Sequence, residues 1–215
     1  MYLHKISALL LGMGSIHFAY ATVGGSEIIE MIGYSAREQK VYVLRHFEDG
    51  RGRLPQLYYY DFSQKNAVNY PLIQVDSLYI NQKTGKIDYD HPNEVIFDRE
   101  LDRIKRRTQP LIPLNPAIFE VEIQQRNSST QHEWHDVDSN DQANPVVQYI
   151  FQYKVKNRNY QSPTQTAKTF SNQLDVKQAY RIPQQNKLLV TIDYFGIPLE
   201  QGYHIEDPVL LQPQP

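Results

Sequence analysis

Val147-Gln148-Tyr149-Ile150-Phe151-Gln152-Tyr153-Lys154-Val155 is the stretch that decides the fold. Val147, Tyr149, Phe151, Tyr153 and Val155 share one side of an extended chain, and Gln148, Gln152 and Lys154 share the other. A period of two with β-branched and aromatic residues on one face describes a half-buried strand. Phe119-Glu120-Val121-Glu122-Ile123-Gln124 alternates in the same way. Val41-Tyr42-Val43-Leu44 and Leu57-Tyr58-Tyr59-Tyr60 are further strand-like runs, and the polar turn Glu48-Asp49-Gly50-Arg51-Gly52-Arg53 between them predicts a hairpin. Lys187 to Phe195 reads as another strand, closed by Gly196 and Pro198. Residues 172–181 are expected to pair with it across Pro183-Gln184-Gln185-Asn186.

One segment breaks the alternation. Phe97, Leu101 and Ile104 fall at helical spacing within 93–107, Asn93 suits the N-cap, and Pro110 stops the helix beyond its basic end. The cluster Arg99, Arg103, Lys105, Arg106 and Arg107 is interleaved with Asp98, Glu100 and Asp102. It reads as a solvated face whose last turn complements the helix dipole. The expected fold is therefore mainly β, built from antiparallel hairpins as a sandwich or propeller-like sheets, with one amphipathic helix near 93–107. Tyr34 to Val43 and Tyr180 to Val190 share a strand, polar turn and strand pattern that looks like a propeller-blade turn. Generic hairpins account for the same residues.

The N-terminus bears on location. Lys5 is the only Lys, Arg, Asp or Glu before Glu27, and it precedes an apolar run of Ile6, Ala8, Leu9, Leu10, Leu11, Met13, Ile16 and Phe18. The run ends in Ala19-Tyr20-Ala21. A short basic region, an apolar core and an A-x-A-like end predict a signal peptide over 1–21, hence a periplasmic or secreted chain. The run is short for a span of about 20 residues and is interrupted by Gly12, Gly14, Ser15 and His17. No transmembrane segment is expected once the signal is removed. The remainder reads as a single β-rich domain over 22–211, divisible into halves at 26–125 and 146–211. A polar loop at 126–145 joins them, and residues 212–215 are expected to be a loose tail.

Composition narrows the chemistry. The 215 residues carry 22 Lys plus Arg against 24 Asp plus Glu, so nothing invites a nucleic acid. With no cysteine there is no disulfide framework, thiolate metal site or cysteine nucleophile. No cofactor is expected, since neither G-x-G-x-x-G nor G-x-x-x-x-G-K-[ST] occurs. No G-x-S-x-G elbow is present either, and His46 and His204 read as structural.

Two candidate sites remain. His132, His135, Asp136 and Asp138, with Glu133 and Asp141, gather nitrogen and oxygen ligands suited to a divalent metal. Their spacing matches neither H-E-x-x-H nor a calcium loop, and a solvated polar loop explains the same residues. Tyr58, Tyr59 and Tyr60 belong to a set of 16 tyrosines. Exposed tyrosines offer rigid, hydroxyl-bearing contact area to sugars or proteins, although tyrosine also simply favours strands. The expectation is a non-catalytic binding or interaction module of the cell envelope, with an envelope protein or a carbohydrate as partner. The alternative is an envelope-polymer hydrolase using carboxylates or a metal at the 132–141 loop.

Overall fold

A computed structural model describes residues 25–50, 52–64, 69–89, 93–131, 146–197 and 203–214. Its architecture is mainly β with a single α-helix among those residues. The β-branched and aromatic runs form the first hairpin, β1 (Glu27–Ser35) with β2 (Lys40–Phe47), and β2 pairs in turn with β3 (Gln56–Asp61). The short β4 (Ile73–Gln74) lies on the far side of β3. Helix α1 (Glu94–Arg107) follows, with Asn93 Oδ1 accepting from the Ile96 N–H at 3.1 Å as the expected cap. Four of its basic residues are ion-paired: Lys105 with Glu30, Arg107 with Glu38, and both Arg99 and Arg103 with Glu100.

The second half adds β5 (Ile112–Pro113), β6 (Glu120–Gln131), β7 (Val146–Lys156), β8 (Tyr160–Gln161) and β9 (Gln165–Thr169). It ends with β10 (Asp175–Arg181), β11 (Leu188–Ile197) and β12 (Tyr203–Pro213). The main row runs β4-β3-β2-β1-β12-β11-β10-β5, while β7 carries β6, β8 and β9. Pairing is antiparallel throughout except between β1 and β12, which run parallel at the centre of the row. That parallel contact gathers the two hairpins of the repeat-like segments into one continuous row rather than separate blades. Their turns resemble each other: Gln39 and Gln184 both take positive φ, at 54° and 59°.

Among the described residues three clusters make the core. Phe151, Tyr153 and Val155 of β7 and Ala167 of β9 pack on Val190, Ile192 and Leu211 of the main row. Alternate residues of the same strands face the other way: Leu189 and Leu210 join Val41, Val43 and Tyr60. On β2 the residues between, Tyr42 and Leu44, meet Phe97 and Ile104 of the helix. A strand buried on both faces needs apolar residues at successive positions, which Val41 to Leu44 supply.

Three expectations need correction. The polar stretch from 126 is not all loop, because β6 continues to Gln131 against Val146, and only 132–145 lie outside the described residues. Ladder hydrogen bonds are indifferent to side-chain polarity on an exposed strand, so composition hid this one. The tail expected to be loose from 212 is paired instead: Gln212 and Pro213 oppose Gln161 and Tyr160, and the Gln214 N–H donates to Asn159 O at 2.9 Å. Proline is acceptable there because a short edge ladder can spare one donor. Along β7 the expected alternation of burial holds from Phe151 to Val155 but is reversed at the N-terminal end. Val147 is 38% exposed while Gln148 is buried. Phe151, Tyr153 and Val155 pack in the core cluster, which does not include Val147. Ile123 is similarly exposed on β6, next to a bulge that shifts the register between Ile123 and Gln125.

Gly33 sits in a second bulge, between Met31 and Gly33, with φ at +135°. A Cβ there would lie 2.6 Å from Gln109 O, which is held by the mutual backbone bonds of Tyr34 and Gln109. Gly33→Ala should therefore cost about 1–3 kcal/mol through backbone strain. An unchanged thermal midpoint would show that the bulge relaxes.

Candidate functional site

A cleft of about 360 Å³ opens where β3, β7, β9 and β12 converge, bordered by the 69–72 segment. Its walls include Tyr60, Tyr70, Leu72, Tyr153, Gln165 and Asp207. Each arrives for a local reason. Tyr60 and Tyr153 lie on the apolar faces of their strands, and Gln165 opposes Tyr153 across the β7–β9 ladder. Tyr70 is fixed by an edge contact with Phe62, at 5.3 Å between centroids, and by the Lys187 ammonium 4.7 Å from its ring centre.

Behind the cleft is a polar nest centred on Asp207. Arg45 donates to Asp207 Oδ1 at 2.6 Å and also pairs with Glu27, so one guanidinium spans two carboxylates. The Tyr194 hydroxyl donates to Asp207 Oδ2. Charge-assisted bonds of this kind lock both partners. Tyr60 donates to Pro208 O at 2.8 Å. Burial pushes the phenols of Tyr60, Tyr153 and Tyr194 far above their usual range, with the Asp207 carboxylate adding to the effect. All three are therefore neutral and able both to donate and to accept.

Tyr153 differs from the other two. Its side chain is 1% exposed and lines the cleft, yet no hydrogen bond reaches its hydroxyl from the described residues. Its hydroxyl opens onto the cleft and is free to bond whatever the cleft holds.

A second, more open groove of about 500 Å³ lies at the other end of β11 and β12. Asp193 pairs there with His204 Nδ1 at 2.7 Å and with Lys177 at 3.2 Å. Lys177 also reaches Glu206 at 3.4 Å, so His204 ends a polar chain leading from the core. His46 likewise pairs with Glu30 at 2.8 Å. No group of three or more His, Asp or Glu residues among the described ones is placed to hold a metal.

The residues singled out from sequence fall in different places. Tyr60 is buried and lines the cleft. Tyr58 is half-buried, hydrogen-bonded to Gln56 and near the Arg45 guanidinium. Tyr59 faces the helix side, where Lys40 lies 4.0 Å from its ring centre. Thus Tyr58 and Tyr60 do oppose Tyr59. His132, His135, Asp136 and Asp138 lie outside the described residues, as does the 1–21 segment. Tyr70, Tyr153, Gln165 and Asp207 gave no site signal in the sequence; the one faint hint is a hydroxyl on the apolar face of β7. No helix among the described residues is long and apolar enough to cross a membrane. No family model, curated protein or solved structure matches the chain.

Proposed function

We propose that this chain is an exported, non-catalytic binding module of the cell envelope, and that the cleft between β3, β7, β9 and β12 is its ligand site. The observation that carries the reading is the hydroxyl of Tyr153, a side chain otherwise buried, which opens without a hydrogen-bond partner among the described residues onto a cavity of small-molecule size. The basic, apolar and Ala19-Tyr20-Ala21 pattern supports export. The carboxylate at the cleft is committed to Arg45 and Tyr194, which favours holding a ligand over proton transfer to it.

One experiment checks location and site together. Protein recovered from the envelope fraction should begin at Thr22 by intact mass and should co-sediment with envelope material. Gln165→Trp, placing an indole in the cleft, should abolish co-sedimentation with the thermal midpoint preserved. Full-length chain in the cytoplasm would overturn export. Undiminished co-sedimentation of the variant would overturn the site.

A further inference from the structure

Resting on the reading of the cleft as a ligand site, we infer that its ligand is an uncharged sugar ring, held against the Tyr70 wall and hydrogen-bonded by the Tyr153 hydroxyl. Charge decides the first point. Among the described residues the cleft lining holds one carboxylate, Asp207, already bonded to Arg45 and Tyr194, and no basic side chain; the Lys187 ammonium sits against the Tyr70 ring without lining the cleft. An anionic ligand would meet that carboxylate with no cation on the wall, and a cationic one would have to displace Arg45 and Tyr194 from it, either of which is costly in a partly dry site. A neutral ligand meets no such penalty.

The shape of the polar groups decides the second. Sugar rings combine an apolar C–H face with a rim of hydroxyls, so a site for them needs an aromatic or aliphatic wall edged by neutral donors and acceptors. Tyr70 and Leu72 supply the wall. Tyr153 offers a neutral hydroxyl. Gln165 spends its Nε2 on Pro163 O at 3.1 Å, which leaves its carbonyl oxygen to accept. An extended peptide fits less well. Pro71, Pro163 and Pro208 all line the cleft and have no N–H, so a strand laid there would lack a donor ladder.

The same hydroxyl provides a test that separates binding from structure. Tyr153→Phe removes only the unpaired oxygen, so the empty protein should melt no lower than the parent. Against an immobilised panel of neutral glycans, anionic glycans and short alanine-rich peptides, the full exported chain should retain neutral glycans only. Titration with the best of them should show Tyr153→Phe binding about three- to tenfold more weakly, the loss of one neutral hydrogen bond. Retention of an anionic glycan or of the peptide in preference, retention of no neutral glycan, or full affinity in Tyr153→Phe would each overturn the sugar assignment. Any of these combined with loss of envelope co-sedimentation in Gln165→Trp leaves the cleft as the site for another ligand. Survival of co-sedimentation in that variant overturns both.

Discussion

Phe151→Ala should destabilise the protein by about 3–5 kcal/mol, the sum of lost transfer free energy and a residual cavity. The ring is 1% exposed, stacks on Tyr149 at 5.9 Å between centroids and sits among Tyr153, Val155 and Ala167 beneath the main row. Nothing nearby can collapse into the space without moving two packed sheets. Gln152, one residue along, faces outward and is exposed, so Gln152→Ala should cost under about 0.5 kcal/mol. Denaturant titration of both variants reads the contrast directly. Similar losses, or the reverse order, would mean that β7 sits one residue out of register.

Glu206→Ala should cost a similar amount, about 3–5 kcal/mol, for a different reason. The carboxylate is 0% exposed and accepts from the Ile29 N–H at 3.1 Å and the Thr191 hydroxyl at 2.5 Å. It also accepts from the Gln178 amide, and Lys177 lies against it. Truncation leaves several buried donors with nothing to bond, and each carries its own desolvation penalty. Glu206 also ties β12 to β1 and β10, the strands on either side of the β12–β11 pair. Lys177→Met offers the comparison. Its side chain is 43% exposed and the Ile29, Thr191 and Gln178 donors to Glu206 remain, so the loss should be clearly smaller than for Glu206→Ala. The two variants should differ in denaturant midpoint at constant slope. Equal midpoints would show that the network is dispensable.

The sequence by itself determined the class of fold, because periodicity is a local property. Phe97, Leu101 and Ile104 at helical spacing, Asn93 as the cap and the alternation through Phe151 to Val155 each need only a few consecutive residues to be read. The hairpin of β2 with β3 and the pairing of β10 with β11 were legible for the same reason, since short turns bring neighbours together. Only the tertiary structure decided what lies beyond that range. β1 meets β12 although about the whole length of the fold separates them, and no residue pattern encodes a parallel partner that distant. The polar half of β6 and the end of β12 became strands because an adjacent edge had backbone groups to satisfy, whatever side chains they carried. The cleft belongs to the same category. Tyr60, Tyr153 and Asp207 stand on three different strands, and each reads locally as an ordinary core or surface residue. Tyr60 was named only for its place in a run of tyrosines. Tyr153 looked like one more member of an apolar face. That its hydroxyl faces a cavity without a partner is a consequence of how two sheets pack, and packing is settled by contacts between strands rather than along them.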